Sequence, residues 1–304
     1  MLPMRDQFHT KLPTGRDIPL LILGLVGIGT SGPIIAKSQI PVPSLIFLRN
    51  LIGGLIILPF ATRRREWQSA DQINALRWSV LSGAFLAAHF LCFFGAMRLT
   101  SVATGTAIAA TQPIFAALFV KLKGGNIPKR SFGGMIIAFL SVILITGIDL
   151  NLSIRSFQGD LLALIGGVFG AAYMLIGAKV QKTISTASFT SVCYISCAIT
   201  SLPVVILTNS QLIGFPSYEV GLLIALIIGA QLLGHTMFNA SLKRVSPVVV
   251  SLIVFFEVPV SAFFALIWLG QQPPIGTIPG IIGLLIGCGI FVVKSSQENM
   301  DKND

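Results

Sequence analysis

Glu257 is the residue in this sequence best placed to do chemistry. Asp6, Asp17, Glu66, Asp71, Asp149, Asp160, Glu219, Glu298, Asp301 and Asp304 fall in tails, in links or at the ends of apolar runs, and Glu257 alone lies in the middle of one. A carboxyl group at the centre of a bilayer costs about 2.5 kcal/mol or more on insertion scales, so such residues usually face a cavity and act there. It can take up and release a proton, or pair with an ammonium group of a bound molecule. The plainer alternative is a protonated acid making one helix-to-helix hydrogen bond. One run earlier, Gln231, His235 and Asn239 stand at i, i+4 and i+8 and share a helix face. Three large polar groups in line suit a wetted cavity wall, although such groups also bind helices to one another.

The remaining polar residues within apolar runs extend this set. His89 lies 146 residues before His235 and is its counterpart in an internal repeat. Arg49 and Asn50 lie about two turns inside the second run, where Arg49 either snorkels to the interface or docks a carboxylate. Thr104 and Thr111 share a face of the fourth run, Ser261 stands one turn beyond Glu257, and Tyr173 of the sixth run can stack on or hydrogen-bond a ligand. The candidate binding set is therefore Glu257, His235, Asn239, Gln231, His89, Thr111, Ser261, Arg49 and Tyr173, with Glu257 also the candidate for proton coupling. No cysteine or acid sits at ligand spacing from either histidine, so neither a metal nor a cofactor is expected. Cys92, Cys193, Cys197 and Cys288 fall inside apolar runs and read as small buried side chains.

These residues need helices in a bilayer to position them. The chain has 304 residues, 54% hydrophobic and 11% charged, with a mean hydropathy of +0.85. A soluble domain carries about 25% charged residues, so a water-soluble fold is excluded. Ten apolar runs lie near 18–36, 44–62, 78–97, 102–120, 132–148, 159–178, 186–208, 219–240, 247–269 and 279–293. The expected fold is an all-α polytopic membrane protein with ten transmembrane helices. Counting from a cytoplasmic N-terminus, 17 Lys and Arg residues fall inside and three, Lys37, Arg98 and Arg155, fall outside. That asymmetry places both termini in the cytoplasm of a cell membrane. It also accounts for the net charge of +10 without nucleic acid as a partner.

A shift of 146 residues lays the third to fifth runs on the eighth to tenth without a gap. His89 falls on His235, Arg98 on Arg244, Thr111 on Glu257, Pro113 on Pro259 and Gly134 on Gly280. Near the first run a shift of 143 sets Asp17 on Asp160, Gly24 on Gly167 and Gly27 on Gly170. The expected units are a tail over 1–17, five-helix repeats over 18–148 and 159–294, and a tail over 295–304. Five is odd, so the second copy enters the membrane from the opposite side. Inverted repeats are an architecture of secondary transporters, with the site near mid-membrane.

The segments Gly95-Ala96-Met97-Arg98-Leu99-Thr100-Ser101-Val102-Ala103 and Thr111-Gln112-Pro113-Ile114-Phe115-Ala116-Ala117-Leu118 match a second set. That set is Ser241-Leu242-Lys243-Arg244-Val245-Ser246-Pro247, Glu257-Val258-Pro259-Val260-Ser261-Ala262 and Trp268-Leu269-Gly270. In these the sequence resembles the EamA family of the drug/metabolite transporter superfamily over nearly its whole length. The chain departs from the family pattern at Gln271, where a Glu is frequent, and at Thr111-Gln112, where many relatives carry a carboxylate. The resemblance implies a ten-helix inner-membrane carrier, usually an exporter of amino acids or other small metabolites. The expected partners are such a small molecule and the lipid bilayer, and the oligomeric state is left open. No His-Glu-x-x-His, Gly-x-Ser-x-Gly or P-loop pattern supports an enzyme or a nucleotide-driven pump. A receptor, channel or assembly scaffold is the competing reading.

Overall fold

The computed structural model describes residues 13–15, 17–122, 129–147, 153–245, 247–272, 276, 278–280, 282–287 and 290. Among these all regular structure is helical. Helices α1 (Asp17–Gly29) and α2 (Ser31–Lys37) are followed by α3 (Val42–Thr62), α4 (Ala70–Met97), α5 (Val102–Ala109) and α6 (Gln112–Leu122). Next come α7 (Lys129–Gly147), α8 (Ile154–Val180) and α9 (Thr186–Leu207). Helix α10 (Ser217–Ala225) continues through a π-helical segment (Leu226–His235) into α11 (Thr236–Ser241), then α12 (Pro247–Val254) and α13 (Glu257–Leu269). Among the described residues, seven stretches are long and apolar enough to cross a bilayer: Asp17–Lys37, Val42–Thr62, Ala70–Met97, Val102–Phe119, Ile154–Val180, Thr186–Leu207 and Ser217–Ser241. The chain is a polytopic membrane protein. Helix α7, the α12–α13 pair and the short apolar helix Ile278–Gly287 lie outside those seven. The last expected run and both expected tails extend beyond the described residues.

Polar caps set where these helices begin. Ser69 and Gln72 form a reciprocal capping box, which starts α4 well ahead of the apolar run expected from position 78. Ser101, Ser153 and Ser185 each accept a hydrogen bond from the backbone N–H three residues on, opening α5, α8 and α9. The outer surface is apolar, with Ile22, Leu55, Phe60, Ile199, Phe263 and Ile267 exposed, as a lipid-facing surface requires. Cys193 and Cys197 are buried and Cys92 is half-buried, all three as free thiols, while Cys288 lies outside the described residues.

Three expected runs are interrupted rather than continuous. The first breaks at Thr30, the fourth at Ala110–Thr111 and the ninth at Phe255–Phe256. Each restarts as a helix with a proline in its first turn: Pro33 in α2, Pro113 in α6 and Pro259 in α13. Proline lacks an N–H and clashes with the carbonyl four residues back, so it fits a helix start better than an interior. Pro113 and Pro259 thus each stand just past an interruption, in the first turn of the helix that follows. Pro59 and Pro203 lie near the C-terminal ends of α3 and α9 without breaking them. The eighth run changes winding instead: the Thr236 N–H bonds to Gln231 O, five residues back, and Thr236 Oγ1 reaches the same carbonyl at 3.0 Å.

Packing brings these interruptions together. Helix α4 lies along α8 and α9, α3 along α9, α1 along the π segment and α13, and α5 along α8 and α13. The α1 contact is backbone on backbone. A Cβ on Gly27 would stand 2.5 Å from Gly229 O and 2.9 Å from Gly234 N, so only glycine fits there.

Candidate functional site

The interrupted helices meet around one cavity, enclosing about 700 Å³ with its open end included. Ser31 enters it beside the first break, Ala109, Ala110 and Gln112 at the second, Val254 and Glu257 at the third, and His235 and Asn239 where the π segment gives way to α11. Helices α3, α4 and α8 complete the wall with Arg49, with His89, Phe90, Phe93 and Phe94, and with Gly170, Tyr173 and Met174. Glu257 opens α13, where an acid suits the positive end of the helix dipole. Discontinuous helices at a cavity are how membrane carriers present backbone and polar groups at depth.

Arg49 does not snorkel. It is 1% exposed, so its long side chain runs inward rather than to the interface. Its Nε donates to Gln231 Oε1 at 2.7 Å, and the guanidinium lies over the rings of Phe90 and Phe94, 4.4 and 5.5 Å from their centroids. Gln231 Nε2 donates in turn to Asn50 Oδ1 at 3.4 Å, and Asn50 Nδ2 to Ile46 O at 2.8 Å. Tyr173 Oη donates to Asn239 Oδ1 at 2.8 Å. His89 Nδ1 lies 2.8 Å from Gly166 O; a carbonyl only accepts, so that nitrogen carries the hydrogen. The His89 ring stacks on Phe93, while His235 meets Phe90 and Tyr173 edge-on.

Of the nine expected binding residues, Arg49, His89, Tyr173, His235, Asn239 and Glu257 line the cavity. Gln231 sits behind Arg49 rather than on the wall. Thr111 and Ser261 stand apart from it: Thr111 Oγ1 bonds Ile108 O at 2.7 Å, and Ser261 Oγ accepts from Thr106 Oγ1 at 3.4 Å. The aromatic wall of Phe90, Phe93 and Phe94, with Ser31, Gln112 and Met174, was not expected. Its signal was three rings at i, i+3 and i+4 directly after His89.

Polar ties flank the cavity. The Arg244 guanidinium pairs with the fully buried Asp17 carboxylate. Elsewhere Glu219 accepts from Ser38 Oγ at 2.7 Å and from Gln39 N at 3.0 Å. Arg98 donates to Ile40 O at 3.1 Å, and Gln271 Oε1 accepts from Val102 N at 3.2 Å. That last bond needs only an acceptor oxygen, which explains how Gln serves at position 271.

The comparisons with known proteins agree with this architecture. The model of the EamA-like transporter family matches residues 16–147 and again 157–293. The chain is 22% identical to the pseudopaline exporter of Pseudomonas aeruginosa, over 83% of this chain and 87% of that one. It is 23% identical to the inner membrane protein YtfF of Escherichia coli, over 91% and 94% of the two chains. An uncharacterised transporter of Archaeoglobus fulgidus is 22% identical over 84% and 88%. A solved crystal structure superposes with a TM-score of 0.71 at 16% identity, covering 93% of this chain and 99% of that one, which shows a shared fold. With a family match in both halves and named transporters aligned along most of its length, this membrane protein belongs to the EamA-like transporter family.

Proposed function

We propose that the protein is a secondary carrier that exports a small metabolite across the cell membrane by alternating access, with Glu257 carrying a proton. It would do so as ten helices in two inverted five-helix repeats, 18–148 and 159–294, with both termini in the cytoplasm. The observation that carries this reading is the cavity itself, which is bounded by helix interruptions from both halves of the chain. The packing supports the duplication. Exchanging the halves turns the α4–α8 pair into the contact between the π segment and α1, and the α6–α8 pair into that between α13 and α1; both contacts are present. The family model also matches once in each half. Two halves that can exchange shapes provide two cavity states without a nucleotide site.

Flux into liposomes, measured with and without an imposed proton gradient, tests the reading. Glu257→Gln keeps size and hydrogen bonding and holds the charge at zero. We expect it to insert and fold normally while gradient-driven flux is lost and exchange between loaded sides persists. Wild-type flux per folded molecule, with unchanged pH dependence, would end the proton-carrier role.

A further inference from the structure

Two donors in the cavity have nothing to bond. Arg49 Nη2 and Asn239 Nδ2 are buried without a hydrogen-bond partner. Both side chains are nearly inaccessible, at 1% and 2%, and both line the cavity. Arg49 Nε is committed to Gln231 Oε1, and Asn239 Oδ1 to the Tyr173 hydroxyl. Those bonds fix the orientation of each group and leave the free N–H groups for something else. A buried guanidinium also needs a negative partner, and Arg49 makes no ion pair among the described residues. Cation–π contact with Phe90 and Phe94 offsets only part of its desolvation.

We propose that Arg49 Nη2 and Asn239 Nδ2 form the docking point for a carboxylate on the cargo, whose apolar or aromatic remainder packs on Phe90, Phe93, Phe94 and Met174. The guanidinium edge matches the planar carboxylate, and the amide N–H adds a neutral donor. A phosphate dianion fits poorly: it brings two charges where a carboxylate brings one, and Arg49 is the sole arginine or lysine on the wall among the described residues. This rests on the carrier reading for its biological sense but not for its test.

The test is equilibrium binding to the full-length protein in lipid nanodiscs. The probes are benzoate, phenylacetate, hydrocinnamate and indoleacetate, each beside its carboxamide, with inorganic phosphate as a further probe. At least one carboxylate is expected to bind the wild type about tenfold or more tightly than its carboxamide, the scale of a charge-assisted hydrogen bond. Asn239→Asp, which puts an acceptor where the donor stood, is expected to lose that preference, and Arg49→Gln to abolish binding. Should Arg49→Gln not fold, the wild-type comparison and Asn239→Asp decide alone. Carboxamides binding as well as carboxylates, no carboxylate binding at all, phosphate displacing them at equal concentration, or an unchanged preference in Asn239→Asp would each overturn the assignment. Carboxylate binding without flux would instead fail the carrier reading and leave this site standing. Flux of a neutral or cationic cargo without carboxylate binding would do the reverse.

Discussion

Gly53 makes room for the Gln231 side chain, and that side chain holds Arg49. A Cβ at position 53 would stand 2.5 Å from Gln231 Nε2, so Gly53→Ala must push the amide away from Arg49 Nε. The obstructing atom is the end of a flexible side chain, so the protein should still fold, with a thermal midpoint within a few degrees of wild type. Flux per folded molecule should fall about tenfold, because the guanidinium loses the bond that orients it. Gln231→Ala should cost about as much, and the double variant Gly53→Ala/Gln231→Ala little more than either alone. Additive losses would show that Gly53 acts through some other neighbour. This chain of contacts could not be read from the sequence. Arg49 and Gln231 are 182 residues apart, and a lone Arg in an apolar run snorkels as readily as it turns inward. Glu257, His235 and Asn239 were legible because polar groups are costly at depth wherever they point. Thr111 and Ser261 stand off the wall, because a small hydroxyl satisfies itself on a nearby carbonyl or hydroxyl and needs no cavity.

The breaks before Pro113 and Pro259 decide which groups reach the cavity. Were α12 and α13 one continuous helix, Glu257 would be an interior residue with its N–H bonded four residues back, and the chain at Phe255–Phe256 would not turn. Pro259→Ala restores an N–H that can bond to the Phe255 carbonyl and rejoin the two helices. We expect its thermal midpoint to hold or rise while flux per folded molecule drops severalfold. Pro113→Ala should do the same for α5 and α6. If the prolines serve packing alone, both variants should unfold at lower temperature and carry cargo in proportion to the folded fraction. Where helices exist was visible from apolar runs. Where they start early was not, because the hydrophilic first turns of α4 and α8 are set by Ser69 and Ser153 caps rather than by hydropathy. The π segment was hidden as well: Gln231, His235 and Asn239 suit an α-helical stripe, and the wider turn follows from tertiary contact with α1 at Gly27.

At the scale of the molecule, the Asp17–Arg244 pair joins the first helix of one half to the link between α11 and α12 in the other. Asp17 is fully buried while the Arg244 side chain is 49% exposed, so the carboxylate is the member that depends on its partner. Its amino-terminal neighbour Thr14 also donates to it, through N at 3.0 Å and Oγ1 at 2.7 Å. Under the proposed inverted repeat Asp17 maps to Asp160 and Arg244 to Arg98, so an exchange of halves would carry this tie to the far side of the bundle. If the two states of the carrier are related by that exchange, loosening the Asp17 tie should favour the state open at its end. Asp17→Asn keeps the shape and removes the charge. With Cys92, Cys193, Cys197 and Cys288 replaced, a single cysteine at position 31 in the cavity reports which end is open through its reaction with an impermeant thiol reagent. In oriented vesicles, Asp17→Asn should raise labelling severalfold from the Arg244 side and lower it from the opposite side. Arg98→Gln should shift both rates the other way. Equal changes from both sides would mean a general loosening of the bundle, and no change would leave the pair as a local structural bond. Opposite shifts from the two substitutions are what exchange of the halves requires, because one equilibrium then governs access at both ends.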